Sequence, residues 1–363
     1  MDKPIRNRKG QGSYLTGQKM SGIIAAASLV AALLFLGNRL VTKSLASPPG
    51  AAASESTRET LAEKQPDTQP TEPSRPPETT SPPETTPPGD TLLWQALEEK
   101  AEEMDAQCIF VYDTGAERML YCGTPGDQTL YPASITKLFS AYVALLYLEP
   151  EEIVTAGEEL SLVQPGSSTA FISKGCRLTV EMLVEGMLLP SGNDAAYVLA
   201  AAAGRAIAVD PELDGVTAVQ VFVSEMNREA FRLNLKNTRF TNPDGYHAGG
   251  HYTCPDDIAR IAAMALRQPV IARYCGMQQD SVTFVSGEWI TWYNTNGLID
   301  PSWPYYISTA LGMKTGYTSE AGYCLLGAFP GGAEHIIIGV FGGATKNGRY
   351  VYAGQLLDVI QGR

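Results

Sequence analysis

The sequence predicts an α/β (α+β) sandwich with a helical lobe, and three observations predict it. A strand–turn–strand pattern opens the folded part, at Cys108–Tyr112 and Arg118–Cys122 around Asp113-Thr114-Gly115-Ala116-Glu117. A second hairpin pattern closes it, at Gly322–Phe329 and His335–Phe341 around Pro330-Gly331-Gly332. Between them, apolar residues recur at helical spacing in segment after segment. Strands at both chain ends with helices between them make one sheet covered by helices.

In chain order, a helix is expected from Leu92 to about Met104, before the first hairpin. If its turn centres on Gly115, Cys108 and Cys122 lie opposite each other, and a cross-strand disulfide is expected for that pair outside the cell. The pairing of Cys176, Cys254, Cys275 and Cys324 stays open. Next, Leu138, Phe139, Tyr142, Val143, Leu145 and Leu146 give a buried helix ending near Glu149-Pro150, with Pro132 suited to its start. Leu178 to Leu189 reads as a helix stopped by Pro190, and Ser191-Gly192-Asn193-Asp194 as a tight connection to an alanine-rich helix, Ala195–Ile207. Further helices are expected at Ala218–Phe231 and Pro255–Leu266, and a last one at Tyr350–Ile360. The final third is strand-rich, and Leu311 to Gly316 has sheet-edge character.

Upstream, residues 1–19 form a basic tail with Lys3, Arg6, Arg8, Lys9 and Lys19. Residues 20–41 are apolar over about the twenty positions a bilayer needs. Positive charge before the span places the N-terminus in the cytoplasm and the rest outside. A cleaved signal peptide, with Ser44-Leu45-Ala46 as its site, is the alternative, and it also exports the chain. Residues 42–90 are rich in Pro, Thr, Glu and Ser and repeat Pro-Pro-Glu-Thr-Thr at Pro76 and Pro82. So few large apolar residues cannot offset the entropy of ordering, and a disordered, extended linker is expected. Residues 91–363 form the folded domain. The net charge of -12 argues against nucleic acid as a partner. Neither a phosphate-binding P-loop nor a dinucleotide fingerprint is present, and no cofactor is implied. His247, His251 and Cys254 lack a fourth ligand nearby, so no metal site is expected. With three histidines in the chain and no Gly-x-Ser-x-Gly elbow, a Ser-His-Asp triad is unpromising.

Chemistry is legible at Ser134-Ile135-Thr136-Lys137. A serine at a helix start feels the positive dipole end beside free backbone N–H groups. A lysine one turn on, carried into an apolar wall, loses proton affinity and becomes a base beside a nucleophile. Alone, a Ser-x-x-Lys is a common accident, and Ser191-Gly192-Asn193 alone is a turn and N-cap. Ser-x-x-Lys, Ser-x-Asn and Lys314-Thr315-Gly316, in that order on helix start, inter-helix loop and strand, form a set that chance seldom assembles.

That set, with Pro190 to Ala196, Met226-Asn227, Phe240 to Gly245, His251-Tyr252-Thr253 with Asp257, and Gly312 to Thr318, resembles the D-alanyl-D-alanine carboxypeptidases. These are low-molecular-mass penicillin-binding proteins of peptidase family S11. The resemblance runs from about Cys108 to the C-terminus. It implies a β-lactamase/transpeptidase-like fold: an antiparallel sheet of about five strands flanked by helices, with the active site between sheet and helical lobe. It implies Ser134 as nucleophile, Lys137 as its base, Ser191 as a proton relay, and Asn193 as the amide that orients Lys137 and the substrate. Lys314, Thr315 and Gly316 would hold the terminal carboxylate, and backbone N–H groups of Ser134 and Tyr317 would form the oxyanion hole. Lys137 and Lys314 are expected to depress each other's pKa. The implied partners are peptidoglycan stem peptides ending in D-Ala-D-Ala, β-lactam antibiotics as acylating inhibitors, and a membrane through the N-terminal span. A D,D-endopeptidase or transpeptidase would use the same residues. A β-lactamase needs a second base, and Glu229 stands one residue too far from Leu233-Asn234 to match the usual loop. A binding module with no activity would not need Ser134, Lys137, Ser191, Asn193 and Lys314 together.

Overall fold

The computed structural model describes residues 88–363. The expected basic tail, apolar span and nearly all of the linker lie outside the described residues. Among the described residues, no helix is long and apolar enough to cross a membrane.

The chain runs through helix α1 (Pro88–Ala101), strands β1 (Cys108–Asp113) and β2 (Arg118–Cys122), and helix α2 (Thr136–Ala144). Short strands β3 (Ile153–Thr155) and β4 (Arg177–Thr179) precede α3 (Val180–Leu188), α4 (Asn193–Ala208), α5 (Gly215–Arg232), α6 (Pro255–Arg267) and α7 (Pro269–Cys275). Strands β5 (Gln279–Thr283), β6 (Trp289–Tyr293), β7 (Gly312–Thr318), β8 (Gly322–Gly331) and β9 (Glu334–Gly343) lead to α8 (Gly348–Ile360). The main sheet has five strands in the order β2-β1-β9-β8-β7, all antiparallel. The first and last strands of the chain, β1 and β9, meet in its middle, and β7 is left at one edge.

Strand alternation decides what each face buries. Phe110, Tyr112, Leu326, Ala328, Ile337 and Phe341 point into the larger core, shared with α2 to α7. Ile109, Val111, Leu325, Ile336, Ile338 and Val340 point the other way, against Leu97 of α1 and Tyr350, Leu356 and Leu357 of α8. Both faces of β1 are therefore buried, and the sheet lies between helical layers. At about 1.5–3 kcal/mol per fully buried large apolar side chain, these two clusters are the main driving force for the fold.

Three differences from the sequence reading have clear causes. Helix α2 stops at Ala144 because the chain tightens there: Leu146 N–H reaches Val143 O and Tyr147 N–H reaches Ala144 O. Helix α3 starts at Val180, since Arg177–Thr179 pairs with Ile153–Thr155 and Thr179 Oγ1 caps the helix by accepting from Met182 N–H. The expected Cys108–Cys122 disulfide is absent, and all six cysteines are free. An irregularity between Val111 and Tyr112 shifts the register, so Cys122 stands opposite Phe110 instead of Cys108. The two thiols still touch diagonally through a hydrogen bond, which pushes Cys108 up and pulls Cys122 down to about 7.

Candidate active site

The reactive side chains meet where the helical lobe faces strand β7. Ser134 sits in a short 3-10 turn, Ala133–Ile135, that runs directly into α2. Lys137 is thereby placed one turn further on, fully buried, with Nζ 2.9 Å from Ser134 Oγ. Nζ also lies 2.8 Å from Asn193 Oδ1 and 2.7 Å from the backbone oxygen of Asp244. These three acceptors match the three hydrogens of an ammonium. When the amine is neutral, its two hydrogens serve Asn193 and Asp244, and its lone pair faces the serine hydroxyl. That is the geometry of a general base on a nucleophile. Burial lowers the Lys137 pKa to about 8, against the opposing pull of Asp244 and Asp194.

Ser191 and Asn193 flank a turn with no room at its centre. A Cβ on Gly192 would lie 2.7 Å from Gly186 O and 2.8 Å from Ala170 N, so only glycine fits between the two functional residues. Ser191 itself adopts a left-handed backbone, φ 64°, as does Ala133 next to the nucleophile, φ 48°. Such conformations cost about 1–3 kcal/mol each and cluster at functional sites. Asp194 locks the turn: its carboxylate accepts N–H bonds from Ala170, Ile172 and Ala195, tying the connection between β3 and β4 to the start of α4.

From the sheet side comes Lys314, also fully buried, with Nζ 2.9 Å from Ser191 Oγ and 3.0 Å from Thr315 O. Thr315 Oγ1 is 2.6 Å from Thr295 Oγ1. Gly316 lets β7 press against the nucleophile turn, since a Cβ there would lie 3.2 Å from Ser134 N. Burial, then the charge of Lys137, holds Lys314 well below its ordinary pKa. Burial is the leading cause of both shifts, and of the expected mutual depression the effect of Lys137 on Lys314 is the part seen.

A cleft of about 640 Å³ opens above these groups, and Ser134, Ser191, Asn193, Thr315, Gly316 and Tyr317 all line it. The family model for D-alanyl-D-alanine carboxypeptidases, peptidase S11, matches residues 95–345. The chain belongs to this family. D-alanyl-D-alanine carboxypeptidase DacF of Bacillus subtilis is 31% identical over 265 residues, covering 72% of this chain and 62% of that protein. The match therefore spans less than two thirds of that relative's length. The crystal structure of the Streptomyces K15 DD-transpeptidase superposes with a TM-score of 0.64 at 29% identity, over 72% of this chain and 98% of that one. Penicillin-binding protein D2 from Listeria monocytogenes, solved in its ampicillin-bound form, gives 0.57 at 25% identity, over 71% and 98%.

Within this S11 domain the fold brings together every residue the sequence singles out around Ser134. It also adds groups that sequence reasoning misses. Arg349, at the start of α8, is buried, donates to Gly316 O and Cys324 O, and lines the cleft beside Thr295 and Trp303. Asp244 presents a buried carboxylate near Lys137, with its pKa raised by burial and lowered by that lysine. The two histidines with metal-like spacing serve other ends. His251 accepts from Thr241 N–H at Nδ1 and sits 2.9 Å from Thr136 Oγ1 at Nε2, and burial lowers it to about 4. His247 packs edge-on against Tyr131. Glu229 is paired with Arg232 on α5 and does not line the cleft.

Proposed function

We propose that this chain is a serine-type D-Ala-D-Ala carboxypeptidase acting on peptidoglycan stem peptides. The observation that carries this reading is the 2.9 Å approach of Lys137 Nζ to Ser134 Oγ, with the amine's other two contacts fixed by Asn193 and Asp244. Neutral Lys137 takes the proton as Ser134 Oγ attacks the carbonyl carbon of the penultimate D-alanine. The oxyanion forms against the backbone N–H groups of Ser134 and Tyr317. Collapse expels the terminal D-alanine, whose nitrogen receives a proton through Ser191. Water then adds to the ester and releases the shortened peptide, and Ser134 regains its proton. Lys314, Thr315 and Arg349 receive the substrate carboxylate, whose negative charge matches this cationic end of the cleft.

β-Lactam antibiotics acylate the same serine, a reading supported by the ampicillin-bound relative. The apolar span at 20–41 anchors the chain with the domain outside the cell, a reading that rests on the sequence alone. The test uses a soluble protein that starts near residue 88, an acyl-Lys-D-Ala-D-Ala tripeptide, and quantification of free D-alanine. Release that vanishes in Ser134→Ala supports the proposal. A folded protein that is acylated by penicillin but releases no D-alanine favours transpeptidation, with an amine in place of water. That second reading is supported by the likeness to the Streptomyces K15 DD-transpeptidase.

A further inference from the structure

The cleft has a direction, and its far end is unexplained by the chemistry above. Strand β7 is the edge of the main sheet, so its outer side is open to an added extended peptide. Lys314 and Thr315, which receive the carboxylate in the proposed reaction, come first along β7. Gly316 follows, pressed against Ser134. Tyr317 and Thr318 come next, and the turn beyond them carries Ser319 and Glu320, both of which line the cleft. A peptide with its carboxylate at Lys314 and its scissile bond at Ser134 therefore lays its preceding residues along Tyr317 to Glu320.

The cleft lining also carries charge. Arg349 and Lys346 line the cleft with Trp303, over whose ring Lys346 sits. Among the described residues lining it, Glu320 is the one carboxylate. Ser319 Oγ donates to Glu320 Oε2 at 2.9 Å, which steadies the carboxylate. Glu320 is exposed, and Ser319's bond and the nearby His247 favour its ionised form. An extended chain advances about 3.3 Å per residue. The residue before D-Ala-D-Ala then lies about 7 Å from the carboxyl end, and a side chain of four carbons and an amine extends from there towards the part of the lining that holds Glu320.

We propose that Glu320 is a specificity residue whose carboxylate receives the side-chain ammonium of the residue preceding the terminal D-alanyl-D-alanine. This rests on the carboxypeptidase reading of the cleft. The preferred substrates are stem peptides with a free amine at that position, and peptides in which that amine is acylated are disfavoured.

The test compares Nα-acetyl-L-Lys-D-Ala-D-Ala with its Nα,Nε-diacetyl form, using the wild-type protein, Glu320→Gln and Glu320→Lys. The wild type is expected to favour the free amine in kcat/KM by about three- to tenfold at low salt, as for an exposed ion pair aided by steering. The ratio should shrink in about 0.5 M NaCl, approach one in Glu320→Gln, and fall below one in Glu320→Lys. A wild-type ratio of one, or an unchanged ratio in Glu320→Gln, overturns the proposal. If the wild type hydrolyses neither peptide, the carboxypeptidase reading fails separately. The subsite is then read by the rate of Ser134 acylation, using a penicillin whose side chain ends in a primary amine against its N-acetyl form. The same ratios support Glu320 and their absence overturns it. A protein that neither hydrolyses nor acylates overturns both readings.

Discussion

Two lysines, both fully buried, lie beneath the cleft, and they are built differently. Lys137, from the helical side, has three acceptors within 2.9 Å and two carboxylates, Asp244 and Asp194, acting on it from nearby. Lys314, from the sheet side, has a hydroxyl and a carbonyl as its contacts, and its surrounding charges include Lys137 and Arg349. One amine is fully satisfied inside the protein. The other is an amine buried without a carboxylate partner, so its charged form costs free energy until an anion arrives. The difference suits the proposed reaction, in which the satisfied lysine moves protons and the unsatisfied one meets the carboxylate.

The sharpest way to break this comparison is to remove each lysine in turn. Lys137→Ala should slow penicillin acylation and D-alanine release by about a thousandfold, the range for loss of a general base, with substrate affinity little altered. If acylation survives at near wild-type rate, the base lies elsewhere.

The pH dependence tests the same contrast with no substitution. Lys137 acts when neutral, and its pKa lies at about 8. About one per cent is neutral at pH 6 and half at pH 8. The acylation rate constant should therefore rise about fiftyfold from pH 6 to pH 8, then level off. A flat profile measured by stopped-flow acylation would remove Lys137 from the role.

How much of this is legible in the sequence follows the reach of each signal. Local signals carry far: the two hairpins, the order of helices, and the contexts of Ser134, Ser191 and Lys314 all rest on short-range spacing. The register of β1 against β2 is not legible, because the irregularity after Val111 leaves no mark in composition, and that slip sets Cys122 opposite Phe110 instead of Cys108. The hairpin of β5 and β6 is absent from the sequence reading, although Trp289 to Tyr293 is rich in strand formers. Arg349 and Thr295 are invisible as site residues. Each reaches the cleft only because β7 and α8 pack as they do, and no local pattern announces that a buried guanidinium will hold Gly316 O. The glycine at 192 stands out in the sequence between Ser191 and Asn193. The backbone oxygen of Gly186 that forbids a side chain there is a tertiary fact.

The sheet-side lysine makes a prediction of opposite sign in stability and function. Lys314→Met should raise KM about ten- to thirtyfold, from loss of a charged contact to the carboxylate, yet raise the melting temperature of the free protein. The sign follows from linkage. Lys314 binds its proton less tightly in the folded state than in the unfolded chain, so stability falls as pH drops from about 10.5 towards its lowered pKa and stays reduced below it. The gain from the methionine should be present at pH 7 and shrink towards about pH 10. Melting curves at the two values decide it. A methionine variant that is less stable at pH 7 would mean that Ser191 and Thr315 fully compensate the buried charge.

The smallest effect comes from the neutral neighbours of that cation. Thr315 Oγ1 shares a 2.6 Å hydrogen bond with Thr295 Oγ1, and both side chains line the cleft. A neutral hydrogen bond contributes about 0.5–1.5 kcal/mol. Thr315→Val, which keeps the shape and deletes the hydroxyl, should therefore raise KM by about two- to tenfold and leave the pH midpoint of acylation where Lys137 sets it. Thr295→Val should do less, because it removes the support of Thr315 and leaves the hydroxyl that meets the substrate. If Thr295→Val proves the more damaging, the carboxylate is held by Thr295, and the sheet side of the cleft receives its anion one layer further from β7. The contrast between the two lysines would survive that result, because it depends on the partners each amine has inside the protein. What would change is the depth at which Lys314 meets its counter-ion.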